Sequence, residues 1–77
     1  MTTTRRILLV EDDAHIADLL ALHLRDEGLD VVHCARGDDG LAQLQRGGWD
    51  ALVLDLMLPG VDGLEICRQA RAMTRYT

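Results

Sequence analysis

Three short stretches of the chain are apolar almost without interruption, and three longer ones are apolar only at every third or fourth position. Ile7–Val10 is the first short stretch. Four apolar residues in a row, β-branched at both ends, predict a strand buried on both faces, as in a parallel sheet. Beyond it, Ile16, Leu19, Leu20 and Leu24 recur at helical spacing, with His23 beside them. The spacing predicts a helix from Ala14 to Glu27 that Gly28 stops. Leu29–Cys34 predicts a second strand around Val31 and Val32, less apolar than the first and suited to a sheet edge. Gly37-Asp38-Asp39-Gly40 opens a short helix carrying Leu41 and Leu44, which Gly47-Gly48 ends. Ala51–Leu56 predicts the third strand, apolar except for Asp55 near its end. In Leu58-Pro59-Gly60-Val61, proline pre-sets the first central turn position and glycine accepts the positive φ of a type II turn. Asp62 is then placed to cap a third helix, with Glu65 as its capping-box partner. Ile66, Ala70 and Met73 give that helix a stripe, which Leu64 and Cys67 widen.

Strands alternating with helices predict an α/β fold, a parallel sheet with right-handed crossovers. With 77 residues, the chain makes one small domain at most and buries only roughly 60–65% of its unfolded surface. Aromatic residues are 3% of the chain, so the core must come from Leu, Val, Ile and Ala. Thirteen acidic residues against eight basic ones give a net charge of −5. Such a balance speaks against direct nucleic-acid binding by these residues. No apolar run approaches the ~20 residues of a membrane span. The start, Met1-Thr2-Thr3-Thr4-Arg5-Arg6, lacks the apolar core and cleavage site of a signal peptide. Cys34 and Cys67 form no C-x-x-C pattern and read as small apolar residues of a reduced, cytoplasmic protein.

Chemistry concentrates at strand ends. Glu11, Asp12 and Asp13 follow the first strand directly, and Asp55 stands near the end of the third. In open parallel α/β sheets, ligands bind outside the carboxyl ends of the strands, where strand order reverses. With the order 2-1-3, that point lies between the first and third strands, so Glu11, Asp12 and Asp55 converge on one pocket. Carboxylate oxygens suit a hard divalent cation, and Mg²⁺ binds through one or two carboxylates plus waters plus phosphate. A carboxylate can also be the nucleophile of phosphoryl transfer, forming an aspartyl-phosphate. The transfer itself needs chiefly positioning and charge neutralisation.

The segments ILLVEDDAHI (7–16) and LVLDLMLPGVDGLEICRQAR (52–71) resemble the receiver domain of two-component response regulators, closest in wording to the OmpR/PhoB-like transcription factors. The resemblance runs from the first strand through the third helix. It implies a flavodoxin-like fold, here reduced to (βα)₃. It implies that Asp55 accepts a phosphoryl group from a sensor histidine kinase. It further implies Mg²⁺, with Mn²⁺ as a substitute, held directly by Asp12 and Asp55, mostly through water by Glu11, and by the backbone carbonyl of Met57. Pro59-Gly60 and Asp62-Gly63 would shape the bordering loop. Asp13 matches no metal position and reads as an acid favourable at a helix N-terminus. Receiver domains continue with two more strands and helices, which supply a Ser or Thr and a Lys to the phosphoryl site. This chain has no Lys, and Thr74 and Thr77 do not match the switch position. Residues 1–77 therefore read as the N-terminal part of a receiver domain. The parent would regulate transcription through a C-terminal DNA-binding domain.

The remaining polar residues have plainer readings. Asp38 and Asp39 are helix-start acids. His15, His23 and His33 read as solvated, Trp49 as a cover over the sheet's amino-terminal edge, and Arg68, Arg71 and Arg75 as a solvated helix face. One rival reading is a haloacid-dehalogenase-like phosphatase, which would need a second Asp two residues after the nucleophile. Met57 stands there. A second rival is an interaction fragment that has lost phosphorylation. Without a fourth strand, the third would be an apolar edge free of Lys and Pro, which predicts a homodimer or higher oligomer.

Overall fold

The structure, a computed structural model, describes residues 4–54 and 63–72. Its elements run β1 (Arg6–Val10), α1 (Ala14–Asp26), β2 (Asp30–Cys34), α2 (Gly37–Arg46), β3 (Ala51–Leu54) and α3 (Gly63–Ala72). The three strands form one parallel sheet in the order β2-β1-β3. The expected α/β architecture, its strand order and the edge position of β2 are all present.

Strand order dictates which face each helix covers. The step from β1 to β2 and the step from β2 to β3 run in opposite directions across the sheet, so two right-handed crossovers put α1 and α2 on opposite faces. The core divides accordingly. Ile7, Leu9 and Val31 pack with Ala17 and Ala21 of α1 on one face. On the other, Leu8, Val10 and Cys34 pack with Leu44 of α2, Trp49, and Ile66 and Ala70 of α3. Alternate side chains of a strand point to opposite faces, so both sets of β1 residues are core. This is why Ile7–Val10 carries no polar residue.

The apolar stripe of α1 is not the one that its largest residues suggest. Ala17 and Ala21 are buried, with Leu20 and Leu24 packed beside them. Ile16 and Leu19 are 48% and 57% exposed. The physical reason is the distance of approach: alanines let the helix axis settle close to β1, and bulkier residues at those positions would hold it off. The stop at Gly28 is as expected. Gly28 takes φ 82°, its N–H donates to the Arg25 carbonyl at 2.9 Å, and the Leu29 N–H donates to the Leu24 carbonyl at 3.2 Å. This is a Schellman closure. In α3, Ile66 and Ala70 are buried as the stripe requires, whereas Leu64 is 62% exposed. Asp62 and Met73 lie outside the described residues.

The amino-terminal edge of the sheet is closed by polar contacts around Arg6. The Arg6 N–H donates to the Asp50 carboxylate at 2.7 Å, and the Asp50 N–H donates back to the Arg6 carbonyl at 2.8 Å. The Arg6 guanidinium stacks 4.4 Å from the centre of the Trp49 ring. The Trp49 Nε1–H donates to the Gln43 carbonyl at 2.7 Å. Trp49 is thus a cover over this edge, as its place in the sequence predicts.

Gly40 marks the tightest helix–sheet approach. A Cβ built there would lie 2.7 and 2.8 Å from the two Cγ atoms of Val10. Replacing a helical Gly by Ala normally stabilises by about 0.5–1 kcal/mol. Overpacking against a rigid β-branched side chain costs about 1–3 kcal/mol, so the steric effect wins. Gly40→Ala is expected to lower stability in urea titrations, and to do so by less in a Val10→Ala background. A Gly40→Ala chain more stable than its parent would show that the close approach does not exist.

Candidate functional site

At the carboxyl end of β1, the three consecutive acids take three different roles. Asp13 caps α1. Its Oδ1 accepts from the backbone N–H groups of His15 at 2.9 Å and Ile16 at 3.1 Å. Two otherwise unpaired helix donors are satisfied in this way, and the negative charge faces the positive end of the helix. Glu11 is half-buried. Its N–H donates to the Cys34 carbonyl of β2 at 3.1 Å, which extends the ladder one residue past β1. Its Oε1 accepts from the Asp13 N–H at 3.0 Å. Asp12, between them, is exposed. The chain thus places an outward-facing carboxylate between two anchored ones.

The β1–β3 register reaches the same end of the sheet. Val10 is paired with Leu54; Glu11 follows one in the sequence and Asp55 the other. Asp55, Met57, the Pro59-Gly60 turn, Thr74 and Thr77 lie outside the described residues. Among the described residues no three His, Cys, Asp or Glu side chains group as a metal site. The donors that are described do suit one class of ion. Carboxylate oxygens at a strand end are hard ligands, fit for Mg²⁺ or Mn²⁺ and poorly matched to soft metals.

Other candidates take the plain roles read from the sequence. Cys34 and Cys67 are free thiols. Burial pushes the Cys34 thiol above its ordinary pKa, and the Asp39 charge adds to this, so Cys34 behaves as a small apolar core residue. Asp38 and Asp39 stand in the first turn of α2. The Arg36 guanidinium, hydrogen-bonded to Asp38 at 3.0 Å, is the main reason its carboxyl is held below its ordinary pKa, and the Asp39 N–H helps. His15 and His23 are exposed, and Arg68 is paired with Glu65 on the outer side of α3.

His33 departs from its expected solvated role. It is exposed, but its Nε2 lies 2.7 Å from the Glu11 carbonyl oxygen. Nothing in the linear sequence sets His33 beside Glu11. The parallel register that aligns His33 with Leu9 does so.

Comparison with known proteins gives this geometry its context. A family model for the response regulator receiver domain matches residues 7–77. The sensory transduction protein RegX3 of Mycolicibacterium smegmatis is 46% identical over 66 residues, covering 86% of this chain and 29% of RegX3. The transcriptional regulatory protein ResD of Bacillus subtilis is 40% identical over 70 residues, covering 91% of this chain and 29% of ResD. The chain therefore spans under a third of the length of these regulators. Among solved structures, the response regulator TrrA of Thermotoga maritima, in complex with Mg²⁺-BeF, superposes with a TM-score of 0.83 at 33% identity, over 90% of this chain and 60% of that one. No helix among the described residues is long and apolar enough to cross a membrane. With its strand order, its acidic strand end and a family match across nearly its whole length, the chain belongs to the receiver domains of two-component response regulators.

Proposed function

We propose that the chain is the phosphoacceptor part of a response regulator, with Asp55 as the acceptor. The observation that carries this reading is the register pairing Val10 with Leu54, since the next residues in the sequence are the acids Glu11 and Asp55. In this reading an Asp55 carboxylate oxygen attacks the phosphorus of a phosphohistidine on a sensor histidine kinase. A P–O bond forms, the P–N bond breaks, and the imidazole leaves with the electron pair and takes up a proton. Asp12, Asp55 and the Met57 backbone carbonyl would hold Mg²⁺, with Mn²⁺ as a substitute, and Glu11 would act mostly through water. The ion supplies charge neutralisation to the transferring group. Asp13 is outside this set, because its carboxylate is engaged with the N-terminus of α1.

The relatives support a setting for this reading. ResD is named a transcriptional regulatory protein, and TrrA was solved with Mg²⁺-BeF. We read residues 1–77 as the N-terminal part of a receiver domain. We place the parent in the cytoplasm, with a regulatory role rather than turnover as a free-standing enzyme, and with DNA bound through a C-terminal domain. A haloacid-dehalogenase-like phosphatase is disfavoured by Met57, which stands where such an enzyme needs its second Asp.

The chain by itself is also proposed to associate. Among the described residues β3 pairs only with β1, and each of its four residues is half-buried. A short apolar edge without Lys or Pro is a pairing surface. Exposed Ile16, Leu19 and Leu22 add apolar area on α1. A homodimer or higher oligomer of this chain is expected in light scattering across a dilution series. A cooperative monomer at every concentration would refute it.

The phosphoacceptor reading is tested by incubation with Mg²⁺ and a small phosphodonor, followed by mass spectrometry. The expected product is one phosphate adduct on Asp55, absent in Asp55→Asn. An adduct on Asp62 or on a histidine would refute the assignment, and a chain that stays unmodified would favour the pure interaction fragment. For the metal, Mg²⁺ or Mn²⁺ is expected to raise the melting temperature by mass action, and Asp12→Ala to abolish the rise. An Asp12→Ala chain that responds like its parent would rule out the site.

A further inference from the structure

We infer that His33 is a positioning residue for the metal-binding acids. The inference rests on the metal reading of Glu11 and Asp12 above. A carbonyl oxygen only accepts, so at 2.7 Å the His33 Nε2 must donate to Glu11. The ring therefore carries a proton on Nε2, in the neutral tautomer or in the imidazolium.

What this bond holds is the peptide unit between Glu11 and Asp12. Peptide units are planar, so a fixed Glu11 carbonyl also fixes the N–H and Cα of Asp12. The direction in which the Asp12 side chain leaves the backbone then depends on the His33 ring. Residue 11 is also held elsewhere, its N–H by the Cys34 carbonyl at 3.1 Å and its Oε1 by the Asp13 N–H at 3.0 Å. Neither of these orients the peptide that follows it. Asp13 is in turn locked as the cap of α1. His33 thus holds the first of the two peptide links between the anchored Glu11 and Asp13, and that link leads into the exposed Asp12. The ring comes from β2, whose residue 33 lies beside Leu9 in the parallel register. It acts through the backbone, and among the described residues its hydrogen bond goes to a carbonyl and not to a carboxylate. An acidic turn arranged before the ion arrives loses less conformational freedom on binding.

The test uses the 77-residue chain, with Mg²⁺ and Mn²⁺ titrated by calorimetry and the metal-free melting temperature measured in parallel. His33→Ala is expected to weaken both ions by about tenfold, the lower end of what outer-shell partners contribute. His33→Gln, whose amide N–H reaches the place of Nε2, is expected to recover most of the affinity. Unchanged affinity in His33→Ala, or a lower metal-free melting temperature with unchanged affinity, would overturn the inference and leave His33 a stabilising contact only. A loss confined to Mn²⁺ would also overturn it, because that pattern belongs to an imidazole bound to the ion. If His33→Ala does not fold, His33→Gln decides: affinity within about twofold of the parent is expected for a restored hydrogen bond, and a loss as large as that of Asp12→Ala refutes the proposal. A parent chain that binds neither ion defeats the metal reading itself, and the inference with it.

Discussion

Burial of β1 on both faces is the constraint on which the rest of the structure depends. Leu8, Leu9 and Val10 have no solvent exposure, although the chain is small and its surface-to-volume ratio unfavourable. Only a strand flanked by two others and roofed by helices above and below can reach that state. The requirement places β2 and β3 on either side of β1, sends α1 to one face and α2 with α3 to the other, and leaves the strand's carboxyl end facing solvent. The acids appear where the buried run stops. Their position is thus a consequence of the core: the chain cannot carry charge until it leaves the two apolar layers.

The two ends of the sheet are built for different purposes. At the amino end, Arg6, Trp49 and Asp50 are tied together by hydrogen bonds and a cation–π stack, which links β1 to the segment entering β3 and shuts the core off from water. At the carboxyl end, contacts anchor the backbone and leave a carboxylate exposed. Asp13 spends its charge on the α1 N-terminus and Glu11 is held by β2, so Asp12 remains outward. A cap, a strand extension and an exposed carboxylate in three successive residues account for an acidic triplet that would be self-repelling without such separate surroundings.

Close approach of the elements keeps this end rigid. Ala17 and Ala21 let α1 settle on one face of β1, and Gly40 lets α2 settle on the other, against Val10. Val10 is the last residue before the acids. The segment that leads into the site is therefore gripped from both sides by residues chosen for their smallness, while the larger Ile16, Leu19 and Leu22 are left on the outside of α1.

Much of this was legible in the linear sequence, because it depends on local pattern. Continuous apolar runs marked the strands, Gly28 marked the end of α1, and the alternation of elements with an acidic strand end carried the fold class and the family resemblance. The inner face of α1 was not legible. Size ranks Ile16 and Leu19 above Ala17 and Ala21 as core residues, and only the packing distance to β1 reverses that ranking. The role of His33 was hidden for a similar reason: His33 and Glu11 are 22 residues apart, and nothing but the β1–β2 register makes them neighbours. The proposed place of Asp55 and Met57 was carried by the sequence motif, together with the pairing of Leu54 with Val10. Sequence by itself determined which segments would be buried and which acids would stand where the first of them stops, since burial and charge are properties of each residue. Tertiary structure alone decided which small residues set the helix–sheet distance and which side chain holds the acidic turn, since these depend on distances between segments that the chain order does not contain.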